Sequence, residues 1–108
     1  MNIKALAEQM GLDEAEYADL GQLFVDTSAA DLEKLEQAAS KGDGAAAAAA
    51  AHSLKGAALN MGLTEFAETA AQLTASIRED GMEGASPYIH KMRQILDELA
   101  RRIGLKVP

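Results

Sequence analysis

Apolar positions in this chain recur at steps of three and four, the period of one face of an α-helix. Between Gly44 and Gly62 they are Ala47, Ala51, Leu54, Ala58 and Met61. From there to Gly81 the rhythm continues through Leu63, Phe66, Ala70, Leu73 and Ile77. The stretch after Asp13 carries Tyr17, Leu20, Phe24, Leu32 and Leu35, and the C-terminal stretch carries Met92, Ile95, Leu99 and Ile103. Polar residues fill the intervening positions. Each long segment therefore has one stripe to bury against other segments.

Local signals mark where these segments start and stop. A short helix is expected from about Ile3 to Met10, ended by Gly11. Asp13, with Glu16 three residues on, has the spacing of a capping box and opens the next helix. That helix should end near Ser40, before the turn signal Lys41-Gly42-Asp43-Gly44. Asp43 is expected to cap the third long stretch, and Thr64 the fourth. Ser86 followed by Pro87 reads as an N-cap with proline at the first helical position. Four long helices with short connections predict an all-α fold. The expected form is an antiparallel up-down-up-down four-helix bundle with a short additional N-terminal helix. The 108 residues suit a single domain, 1–108, with the bundle spanning about 13–103.

Composition narrows the functional classes. Aromatic residues are 4% of the chain, so strands have little to build from. The formal net charge of -7 argues against nucleic acid and against an anionic membrane surface as partners. There is no cysteine, which excludes disulfide and thiolate chemistry. The N-terminal residues lack an apolar run of signal-peptide length. The alanine tract is far short of the ~20 residues of a membrane span. The expectation is a cytoplasmic monomer, and Met1 favours a free-standing chain.

Candidate chemistry gathers around one histidine. Seven alanines, Ala45 to Ala51, lead directly into His52, Ser53, Leu54, Lys55 and Gly56. His52 is one residue past the core position Ala51, and one residue rotates ~100° around a helix. Lys55, Thr74 and Arg78 are likewise one past Leu54, Leu73 and Ile77. In the hairpin of the third and fourth helices, His52 and Thr74 each lie eleven residues from Leu63. These four side chains are thus expected on a solvent-facing border, as a partly exposed imidazole with two cations and a hydroxyl nearby.

Such a group suits phosphoryl transfer. An imidazole in water titrates at about pH 6.5, so its neutral nitrogen is nucleophilic near pH 7. The Lys55 ammonium, on the same face, would neutralise phosphoryl oxygens, and Arg78 would help from the next helix. Thr74 would hydrogen-bond the ring nitrogen that does not react. Glycine inside a helix costs about 1 kcal/mol relative to alanine. Gly56 sits one turn from His52, where a larger side chain would crowd the ring. Ala48, Ala49 and Leu59 would offer a low apolar surface to a partner. Ser53 is expected to face solvent. His90 lacks a glycine one turn on and is read as a surface residue. Two histidines on different helices form no metal-ligand set, and no nucleotide-binding loop is present.

The run Ala51-His52-Ser53-Leu54-Lys55-Gly56, followed by Gly62, resembles the signature of histidine-containing phosphotransfer (HPt) domains. The likeness includes the preceding helix with Phe24 and Leu35, the Gly42-Asp43 turn and the helix after Gly62, about residues 13 to 103 in all. It implies a phosphoryl carrier of two-component phosphorelays. His52 would be the phosphoacceptor, Lys55 the supporting cation and Gly56 the clearance residue. Partners would be response-regulator receiver domains or a sensor histidine kinase. No cofactor of its own is implied, with Mg²⁺ expected in the partner receiver only, and no stand-alone turnover. The fourth-helix position level with the histidine is often Gln or Glu in this family and is Thr74 here. Arg78 matches a basic position of some members. The phosphoacceptor domain of a chemotaxis-type kinase is an alternative, and a non-catalytic helical adaptor is a third reading.

Overall fold

A computed structural model describes residues 1–104. It contains five helices: α1 (Ile3–Gln9), α2 (Glu14–Lys41), α3 (Gly44–Asn60), α4 (Thr64–Asp80) and α5 (Ser86–Arg102). Among the described residues there is no strand, and no helix is long and apolar enough to cross a membrane. The four long helices close into a ring. α2 packs on α3, α3 on α4, α4 on α5, and α5 returns to α2. Each connection is too short for anything but an antiparallel neighbour.

The stops follow from the local chemistry. Asp13 and Glu16 form a complete capping box at the start of α2. Asp43 accepts from the Ala46 amide at the start of α3. Gly62, at φ 71°, takes the left-handed turn that lets Leu63 N–H donate back to the Ala58 carbonyl at 3.0 Å. Two expected caps sit one residue out. The Leu63 carbonyl already accepts the first bond of α4, from Ala67, so buried Leu63 holds the cap position and Thr64 falls inside the helix. Likewise Ala85 accepts from Tyr88 and Ile89, leaving Ser86 as the first helical residue and Pro87 within the first turn.

α3 buries all five of its expected seam residues, Ala47, Ala51, Leu54, Ala58 and Met61. Three are alanines, and small contacts shorten interaxial distances. The core is completed by Tyr17, Leu32, Leu35, Leu73, Met92 and Leu99, with Phe24 edge-on to Phe66 at 5.7 Å. On α2 the expected seam needs correcting. Leu20 is 42% exposed, and Gly21 and Ser28 are buried instead. Leu20 trails Tyr17 by three residues and so swings about 60° off the line that Tyr17 and Phe24 define. On α5 the fully buried line runs through Ile89, Met92, Leu96 and Leu99, while Ile95 and Ile103 are only partly covered.

Candidate functional site

His52 lies at the middle of α3, with eight of the helix's 17 residues on either side. The residues before it that pack inward are alanines, so the helix is pressed to the bundle while position 52 is turned out. The imidazole is exposed. Gly56, one turn on, is also exposed, and a Cβ built there meets nothing within 4 Å. Nothing among the described residues demands glycine at that place. Gly21 is the contrast: it is buried, and a Cβ there would stand 2.9 Å from Ile103 Cδ1 and displace the tip of that side chain.

Lys55 is half-buried on the same helix, one turn from His52, and Arg78 is exposed near the end of α4. Neither is in a salt bridge among the described residues. Ile77 packs 3.5 Å from where a Cβ on Gly44 would stand, which puts Arg78 beside the first turn of α3, about two turns from His52. Thr74 is half-buried, and its hydroxyl donates to the Ala70 carbonyl at 3.0 Å. That proton is spent within α4, and no hydrogen bond among the described residues joins Thr74 to His52. Ala48 is half-buried, while Ala49 and Leu59 are exposed. His90 is exposed on α5 and lines a groove of about 430 Å³ with Glu36 and Arg93, remote from α3.

The structure adds partners that the sequence pattern did not reveal. Ser53 faces solvent as expected, and it also donates to Asp31 Oδ2 on α2 at 3.2 Å. Asp31 also faces Lys34 Nζ at 3.9 Å. The residue next to His52 is thereby tied to the neighbouring helix. At the end of α3 the Tyr17 hydroxyl donates to the Met61 carbonyl at 2.9 Å, and burial pushes the Tyr17 phenol above its ordinary pKa. These two bonds set the register between α2 and α3. Among the described residues no three His, Cys, Asp or Glu side chains converge as a metal site.

A helical bundle that turns one imidazole out from mid-helix, beside an unneeded glycine, has the form of a phosphoryl carrier. A scan against protein-family models matches the Hpt domain over residues 19–102. The match covers most of the chain, and this protein belongs to the Hpt domain family. The family serves histidine phosphotransfer in two-component phosphorelays. Searches of curated proteins and of solved structures give no significant match.

Proposed function

We propose that His52 is the phosphoacceptor, carrying a phosphoryl group between a receiver-domain aspartate or a kinase and a second receiver domain. The observation that carries this reading is the exposed imidazole beside Gly56, where a side chain would have open space and none is present. The helix tolerates a residue that costs about 1 kcal/mol, and no contact among the described residues explains it. Clearance for another protein's active centre does.

The step is a displacement at phosphorus. The unprotonated ring nitrogen attacks, the P–O bond to the receiver aspartate breaks, and the carboxylate leaves with the electron pair. The reverse displacement passes the group on. Lys55, paired with no carboxylate among the described residues, neutralises charge on the phosphoryl oxygens as they cross. Mg²⁺ and the acidic cluster that binds it belong to the receiver, so this chain supplies a positioned nucleophile and a cation. The Thr74 hydroxyl donates to the Ala70 carbonyl and makes no hydrogen bond to His52 among the described residues, so the role assigned to it here is to keep that flank small.

The test is to mix the chain with a phosphorylated receiver domain and look for acid-labile, alkali-stable label. Label on His52 in the wild type, absent from His52→Gln, is the expected result. Label retained in His52→Gln, or mapped to His90, would overturn the assignment.

A further inference from the structure

Ser53 is the one side chain of α3 in a hydrogen bond or salt bridge among the described residues. It follows His52 directly in the chain, and its hydroxyl reaches across to Asp31 Oδ2 on α2. Asp31 is itself held. Its side chain is 20% exposed, and Oδ1 lies 3.9 Å from Lys34 Nζ, one turn on. The two carboxylate oxygens thus have separate partners, one on α3 and one on α2. On the other flank no side-chain hydrogen bond or salt bridge joins α3 to α4 among the described residues.

Little else fixes how α3 is turned about its own axis. Of its four buried residues, Ala47, Ala51, Leu54 and Ala58, three are alanine. Methyl groups make shallow ridges where helices pack. The Tyr17 hydroxyl grips a backbone carbonyl at Met61, past the end of the helix and close to its axis. Ser53, by contrast, is gripped from the side, one residue and ~100° round from His52. With Ser53 aimed at α2, His52 is carried clear of that helix. The leverage is large. An atom ~6 Å from a helix axis moves ~1 Å for each ~10° of roll, and ~1 Å of misplacement can cost a hundredfold in rate.

We propose that Ser53 and Asp31 are positioning residues: their bond fixes the roll of α3 and so aims the His52 imidazole at an incoming phosphoryl group. This rests on the reading of His52 as phosphoacceptor. Neither residue touches the reacting atoms. Asp31 works as a hydrogen-bond acceptor, and its charge, faced by Lys34, is not what the reaction uses.

The experiment measures kcat and KM for transfer from a phosphorylated receiver domain. Phosphoramidate serves as a second donor, small enough to reach His52 at any setting of the helix. Ser53→Ala should lower kcat about threefold to tenfold, the scale of one net hydrogen bond, with KM little changed. Asp31→Ala should do the same, and the double variant should lose no more than either single one. Asp31→Asn keeps an acceptor oxygen and Ser53→Thr keeps a hydroxyl, so each should recover part of the rate. Phosphoramidate should label His52 equally in all variants, and their urea midpoints should stay near the wild type, which separates aim from folding. Additive losses in the double variant would overturn the proposal. So would an equal loss in Asp31→Asn and Asp31→Ala, which would assign the effect to charge. Unchanged kcat in Ser53→Ala, with His52 still labelled, would overturn it and leave the phosphoacceptor reading intact. Failure of both donors to label wild-type His52 would overturn the phosphoacceptor reading itself.

Discussion

The Tyr17 hydroxyl donates to the carbonyl of Met61, 44 residues away, joining the start of α2 to the end of α3 inside the core. Tyr17→Phe keeps the ring and leaves that carbonyl without its partner. The loss should be about 1–2 kcal/mol in urea unfolding. The burial of the same phenol predicts a pH dependence. Burial raises the folded-state pKa of Tyr17 above its unfolded value of about 10. Its contribution is therefore fully present below about pH 10 and is lost as pH rises from there through the folded value. Unfolding midpoints of the wild type should fall above pH 10, and those of Tyr17→Phe should fall less steeply.

Gly56 separates stability from function. Gly56→Ala should stabilise the chain by about 0.5–1 kcal/mol, since the helix gains and no neighbour is met. Gly56→Phe should fold well yet slow transfer from a receiver by an order of magnitude or more, while phosphoramidate still labels His52. Equal transfer by wild type and Gly56→Phe would show that the open space is not used.

Lys55 should act on rate. A hydrogen bond to a charged group contributes about 1.5–3 kcal/mol, so Lys55→Ala should slow single-turnover transfer about tenfold to a hundredfold. Lys55→Arg should recover part of it. Thermal midpoints of both variants should stay near the wild type, because Lys55 is in no ion pair among the described residues.

Ser28 is buried on α2, and its hydroxyl has no hydrogen-bond partner among the described residues. Removing that hydroxyl removes a desolvated polar group and improves helix propensity. Ser28→Ala should raise stability by about 1 kcal/mol, read from the urea midpoint at unchanged m-value. A loss of stability would mean that the hydroxyl has a partner after all.

The helices were legible because each carries a three-four rhythm and ends at glycine, and α3 was read in full because small and apolar residues both fall on its seam. On α2 the rhythm misled. That helix meets α3 on one side and α5 on the other, and at Gly21 a Cβ would push the tip of Ile103 aside, so the buried position suits a small residue. Hydrophobicity cannot signal that requirement, and it assigned Leu20 to a seam that Gly21 and Ser28 occupy. The two caps missed by one residue turned on which carbonyl takes the first bond, a choice made by the burial of Leu63 and by the turn at Ala85. At the site, the outward turn of His52 followed from its one-residue offset from Ala51. The Asp31–Ser53 bond did not, since it depends on the register of two helices that sequence spacing leaves free. Nor did the inward bond of Thr74, whose hydroxyl chooses the Ala70 carbonyl of its own helix.

The central placement of His52 has a mechanical consequence. Helices fray from their ends, and His52 is as far from both ends of α3 as that helix allows. On the role proposed for it, the ring is then a fixed target, held by a segment that does not open by itself. Rearrangement during group transfer would fall to the visiting protein, and amide hydrogens around His52 should exchange at the slow pace of whole-bundle opening whether or not the ring is loaded.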